Sequence, residues 1–235
     1  SWPKINISQL DSNINYIDLT YEIISPFIGD DIPAEILKNI ITKAYKNNFK
    51  EKNPVTFKKL STNEVIVELF NGPTLAFKDF AMQLLIPIFD YFLDIENKKL
   101  NLIVATSGDT GSAAINAVSK SENLNIFCLF PKDRVSEFQR RQMSTVINKK
   151  ITLCEIDGTF DDCQNIVKNI LGDTDFSKSY SISAVNSINW ARVMIQVVYY
   201  FFSAIKLDGG NGQYNFSVPT GNFGDVYAGY IAKKM

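Results

Sequence analysis

One lysine stands in a run of residues that could activate it. Asn71-Gly72-Pro73-Thr74-Leu75-Ala76-Phe77-Lys78-Asp79-Phe80 carries a tight Asn-Gly-Pro turn into an apolar segment and sets the Lys78 amine between two phenylalanines. An ammonium held among apolar groups is disfavoured in its charged form, and the neutral amine attacks carbonyls. That is the chemistry of a lysine that condenses with an aldehyde. The plainer reading is a lysine snorkelling at a helix start, where the helix dipole disfavours a cation. On this run alone both readings stand.

Two further stretches bear on the choice. Thr106-Ser107-Gly108-Asp109-Thr110-Gly111 and Thr220-Gly221-Asn222-Phe223-Gly224-Asp225 each read as following an apolar strand and opening a helix. Small residues let backbone N–H groups converge, and a helix N-terminus adds a positive field, so such loops suit a phosphate or a carboxylate. Neither loop fits the mononucleotide or dinucleotide fingerprint. Each alone is an ordinary strand-to-helix turn. Two of them beside Lys78 point to a ligand with two anionic groups. Asn186-Ser187-Ile188-Asn189-Trp190-Ala191-Arg192 offers amides and a guanidinium to an oxyanion. It reads equally as the capped first turn of a helix. Arg134 to Arg141 reads as a polar surface helix.

Composition removes other chemistries. The 235 residues contain no histidine, which excludes Ser-His-Asp and Cys-His catalysis and the usual zinc sites. Cys128, Cys154 and Cys163 have no metal-ligand spacing and read as buried thiols of a reducing, cytoplasmic compartment. A net charge of −1 gives no case for nucleic acid or an anionic membrane. No signal peptide is evident. The apolar stretch from Val193 to Ile205 is interrupted by Gln196 and is too short to span a bilayer. The first residues, Ser1-Trp2-Pro3, and the last, Lys233-Lys234-Met235, suggest a fragment.

The elements that must position these residues alternate. Residues 13–49 read as helical, with Pro33 in a first turn and Ile36, Leu37, Ile40, Ile41, Ala44 and Tyr45 at helical spacing. Val65 to Phe70 reads as a strand leading into the lysine turn, and the helix after Lys78 should bend or break at Pro87. Strands follow at 102–105, 126–130 and 151–156, with helices near 111–120, from Ser136, and from Thr159. Ser136 and Gln139 have capping-box spacing. This alternation predicts a parallel sheet with right-handed crossovers. A buried helix is expected at about 188–206, then a loop at 208–212, a strand at 216–218 and a last helix.

Taken together, these stretches resemble threonine synthase, of the pyridoxal 5'-phosphate (PLP) enzymes of fold type II, the tryptophan synthase β-like group. The resemblance rests on NGPTLAFKDF at 71–80, ATSGDTG at 105–111, GTFDDCQNIVK at 158–168, NSINWAR at 186–192 and GNFGD at 221–225, in the family's order. It implies two open parallel-sheet α/β domains, with 1–79 and 176–235 contributing to an incomplete large domain and 80–175 forming the small one. It implies Lys78 as the Schiff-base lysine. Gly221, Asn222, Phe223, Gly224 and Asp225 would cradle the cofactor phosphate. Ser107, Gly108, Asp109 and Thr110 would hold the substrate, with Asn189 and Arg192 as further contacts. The implied reaction converts O-phospho-L-homoserine and water to L-threonine and phosphate, in a monomer or homodimer without nucleic-acid or membrane partners. The alternatives are a related phospholyase, a threonine/serine dehydratase, or a non-catalytic fragment of the same fold. Two departures stand out. The family's opening Asp-Gly-Gly-Leu-Tyr stretch is absent before Ser1, as is much of the large domain after Met235. Pro131-Lys132-Asp133-Arg134 also has Lys-Asp where relatives often carry a Gly-containing turn.

Overall fold

The helical spacing at 13–49 resolves into two helices, α1 (Tyr16–Ile28) and α2 (Ala34–Lys46). They part because Gly29 takes φ 58 and Pro33 holds the position just before α2, where no backbone N–H is needed. The computed structural model describes residues 2–186, 189–219 and 221–235. These form two compact units, residues 1–84 with 187–235, and residues 85–186.

In the first unit, β1 (Thr56–Lys59) pairs antiparallel with β2 (Val65–Glu68). α3 (Lys78–Glu96) starts at the lysine in this unit and continues through Pro87 without breaking, its residues from Leu85 on belonging to the second unit. Ile86 and Ile88, on either side of the proline, are buried.

The second unit is the predicted parallel sheet. Its elements run β3 (Leu100–Ala105), α4 (Asp109–Val118), β4 (Leu124–Pro131), α5 (Glu137–Ser144), β5 (Ile151–Ile156), α6 (Phe160–Gly172), α7 (Thr174–Ser179) and β6 (Ile182–Ala184). The strand order is β5-β4-β3-β6, every pair parallel. Ser136 and Gln139 form the capping box of α5, and Thr159 with Asp162 forms a second one at α6. α6 packs Cys163 and Val167 on Ile103 and Leu129. Asp133 adopts φ 56, so the turn after β4 keeps a left-handed residue without glycine. Aspartate tolerates that region better than most side chains.

The chain then returns to the first unit with α8 (Trp190–Asp208) and α9 (Gly224–Lys234). α8 is buried along most of its length. Its buried polar residues Arg192, Gln196, Tyr199 and Ser203 recur at helical spacing and form one stripe. Residues 216–218 are not a strand, a correction to the sequence reading. A strand is defined by its ladder, and no described strand runs alongside them. Among the described residues, no helix is long and apolar enough to cross a membrane.

Candidate active site

Lys78 is the first residue of α3, and the turn before it is held from both ends. Asn71 donates its side-chain amide to the Pro54 carbonyl at 3.0 Å and to Thr56 Oγ1 at 3.1 Å. Asp79, fully buried, accepts from the Thr74 N–H at 2.8 Å and from Thr74 Oγ1 at 2.7 Å. Gly72 sits so close that a Cβ there would fall 2.5 Å from Asp79. Leu75 is forced to φ 61. A left-handed leucine stores on the order of 1–3 kcal/mol, which the surrounding bonds must hold.

The lysine itself is half-buried, with Nζ 5.1 Å from the centre of the Phe77 ring. Phe80 does not flank it. That ring is turned into the core against Tyr16, Phe49 and Tyr199, at centroid separations of 5.5, 4.8 and 5.7 Å. Phe77 is thus an aromatic neighbour of the amine, and the second phenylalanine anchors the helix that carries it.

The glycine loop at 221–225 lies in the same unit and opens α9. Phe223, 74% exposed, precedes the helix and provides no side-chain cap. A Cβ at Gly221 would meet nothing within 4 Å. An uncapped first turn with open space beside it fits an anion. Asp225 points elsewhere. Its Oδ1 accepts from the hydroxyls of Tyr199 at 2.5 Å and Tyr200 at 2.8 Å. Burial raises the Asp225 pKa above the usual aspartate range, opposed by those two hydroxyls and by the Lys78 charge. Burial, followed by the Asp225 charge, also lifts both tyrosines.

Asn189 caps α8, its Oδ1 accepting from the N–H groups of Ala191 at 3.0 Å and Arg192 at 3.4 Å. Arg192 is only 2% exposed, and its Nε and Nη1 have no hydrogen-bond partner. Burial pulls its pKa down to about 10. A buried guanidinium with two nitrogens left without partners is costly, and an anionic ligand would relieve it. Ser187, Ile188 and Thr220 lie outside the described residues.

In the second unit, the Ser107–Thr110 segment follows the carboxyl end of β3, where open α/β sheets bind ligands. Thr106 organises it, its buried Oγ1 accepting from the N–H groups of Gly108 at 2.9 Å and Gly111 at 2.8 Å. Gln139 donates to Asp109 Oδ1 at 2.5 Å. Gly108 takes φ 139, and a Cβ there would lie 2.3 Å from Gln139 Cδ. Ser107 is exposed, while Asp109 and Thr110 are half-buried. Lys78, Asn189, Arg192 and Gly221–Asp225 thus share one unit and Ser107–Thr110 belong to the other. The supporting residues Asp79, Thr106, Gln139, Tyr199 and Tyr200 were not marked by sequence pattern. Only the Ser136–Gln139 capping spacing hinted at one of them. No group of acidic, cysteine or histidine side chains suited to a metal occurs among the described residues.

A lysine opening an apolar helix, a glycine loop opening a second helix of the same unit, and a parallel α/β unit with its own glycine loop have the fold of the type II PLP enzymes. Within that class the chain aligns with the threonine synthases over its whole length. The family model described as threonine synthase N terminus matches residues 1–45. Threonine synthase of Corynebacterium glutamicum is 45% identical over 245 residues, covering 100% of this chain and 50% of that protein. The Pseudomonas aeruginosa enzyme is 43% identical over 235 residues, covering 99% of this chain and 50% of that protein. The crystal structure of PLP-bound threonine synthase from Brucella melitensis superposes with a TM-score of 0.93 at 43% identity, over 100% of this chain and 51% of that one. The chain spans about half the length of the relatives it matches.

Proposed function

We propose that this chain carries the cofactor lysine of a threonine synthase, a carbon–oxygen lyase acting on phosphate. The reaction converts O-phospho-L-homoserine and water to L-threonine and phosphate. The observation that carries this reading is Lys78, half-buried at the head of α3, in a chain whose full length follows threonine synthases. Lys78 and the amides of Gly221, Asn222, Phe223 and Gly224, with Asp225 closing the loop, would hold PLP. When bound, the cofactor supplies an electron sink for negative charge at substrate carbons.

The protein's own groups supply the rest. The Lys78 amine takes a proton from one substrate carbon and returns it at another, work that a histidine does in other sites. Phosphate leaves from Cγ and water adds at Cβ. Ser107, Gly108, Asp109 and Thr110 receive the substrate's carboxylate or phosphate. Asn189 and Arg192 make further contacts, and the unsatisfied Nε and Nη1 support Arg192 in that role. A well-aimed donor to developing negative charge lowers the barrier by roughly 3 kcal/mol. The large domain is taken as residues 1–84 with 187–235 and the small one as 85–186, close to the 1–79, 80–175 and 176–235 read from the sequence. The reading places the protein in the cytoplasm, as a monomer or homodimer.

The test is product analysis with O-phospho-L-homoserine and PLP. L-threonine and phosphate in equal amounts support the reading. Phosphate without threonine indicates a different phospholyase, and 2-oxobutanoate or pyruvate a dehydratase. A protein that stays colourless with added PLP supports the non-catalytic alternative.

A further inference from the structure

An acidic residue is out of place in a phosphate loop unless its charge is directed elsewhere. Asp225 stands in the first turn of α9, where a carboxylate beside a phosphate would repel it. Instead its side chain is 7% exposed and faces α8. The Tyr199 hydroxyl donates to Asp225 Oδ1 at 2.5 Å. The Tyr200 hydroxyl reaches the same oxygen at 2.8 Å and the Asp225 backbone carbonyl at 3.0 Å. Tyr200 also marks how closely α9 lies on α8, since a Cβ at Gly229 would fall 3.0 Å from its ring.

Tyr199 connects this end of the unit to the lysine. Its ring meets Phe80 edge-on at 5.7 Å, and Phe80 is two residues beyond Lys78 on α3. Phe80 is itself fixed, its carbonyl accepting from the Tyr45 hydroxyl at 3.0 Å. One continuous path therefore runs from the head of α3 through Phe80, Tyr199 and Asp225 to the head of α9. A rigid ligand with an aldehyde at one end and a phosphate at the other binds tightly only where both receiving points are held at its length.

We infer that Tyr199 and Tyr200, acting through Asp225, are positioning residues that hold the 221–224 amides at a set separation from Lys78, and that the Asp225 carboxyl does not contact phosphate. Selectivity for a phosphate-bearing aldehyde then resides in this tyrosine–aspartate tie. The inference rests on the PLP reading above.

The experiment compares dissociation constants for PLP and for pyridoxal, the same aldehyde without phosphate, by absorbance titration, with melting temperatures measured in parallel. Tyr199→Phe and Tyr200→Phe should each lower the preference for PLP about tenfold, equivalent to about 1.4 kcal/mol. Pyridoxal affinity should stay within about twofold of wild type in both, a change of under about 0.5 kcal/mol. Asp225→Asn keeps an accepting oxygen and should retain most of the preference, whereas Asp225→Ala should lose it. Should Asp225→Ala not fold, the two phenylalanine variants and Asp225→Asn decide the question. An unchanged preference in both phenylalanine variants, even with lower melting temperatures, overturns the inference. So does an Asp225→Asn variant as impaired as the phenylalanine pair. A wild-type protein that binds neither aldehyde, or both equally, overturns the PLP reading and this inference with it.

Discussion

Asp79 sits directly beside the lysine, and its removal should loosen the turn that aims Lys78. Two hydrogen bonds join its buried carboxylate to the N–H and hydroxyl of Thr74. Bonds to a buried charged group contribute roughly 1.5–3 kcal/mol each, and orphaned buried donors add to the loss. Asp79→Ala should therefore destabilise by about 4 kcal/mol. Asp79→Asn should be far milder. Its oxygen can accept from the Thr74 N–H while its amide donates to Thr74 Oγ1, leaving chiefly the lost attraction to the α3 N-terminus, about 1 kcal/mol. Asp79→Ala also frees the turn that holds Leu75 at φ 61. Urea denaturation gives the stabilities, and the rate at which PLP develops colour with the protein reports the aim of Lys78. Asp79→Ala should be less stable than Asp79→Asn by about 3 kcal/mol and slower to develop colour. Equal stability of the two variants, or unchanged colour development in Asp79→Ala, would refute the reasoning.

Three other expectations follow from buried or strained groups. Arg192→Met removes a buried cation with two unsatisfied nitrogens, so it should leave stability unchanged or raise it by about 1–4 kcal/mol while abolishing any rise in melting temperature that inorganic phosphate gives the wild type. Asp225 has a folded pKa above its ordinary 3.8, so its contribution is complete below that value and is lost as pH rises through the folded one. Asp225→Asn should accordingly gain on the wild type as pH rises through this acid window, checked by denaturation at a series of pH values; a constant difference would contradict it. Gly108→Ala meets both a φ of 139 and the Gln139 side chain, and should destabilise by about 1–3 kcal/mol. Adding Gln139→Ala should relieve only the steric part, leaving the double variant still below Gln139→Ala alone.

Fold legibility followed burial. β3, β4 and β5 lie in a parallel sheet and read as short apolar runs, and the caps at Ser136 and Thr159 mark helix starts by residue type alone. β1 reads Thr-Phe-Lys-Lys with no apolar pattern and exists because β2 pairs with it. β6 is three residues long, too short to carry a pattern. Phe216-Ser217-Val218 has strand-forming residues but no described partner, and propensity without a ladder gave no strand. The residues that could do chemistry were legible because lysine, glycine and arginine are conspicuous in apolar surroundings. Their supports were not. Asp79 folds back on a residue five positions earlier, Gln139 reaches Asp109, and Tyr199 meets Asp225 only because α8 lies against α9. Such pairings depend on tertiary placement that no local spacing encodes.

The most direct test of the central claim is to load the protein with PLP, reduce it with borohydride and map the modified peptide by mass spectrometry. One covalent pyridoxyl group is expected, carried by Lys78 and absent from Lys78→Ala. A label on any other lysine, or none at all, would contradict it.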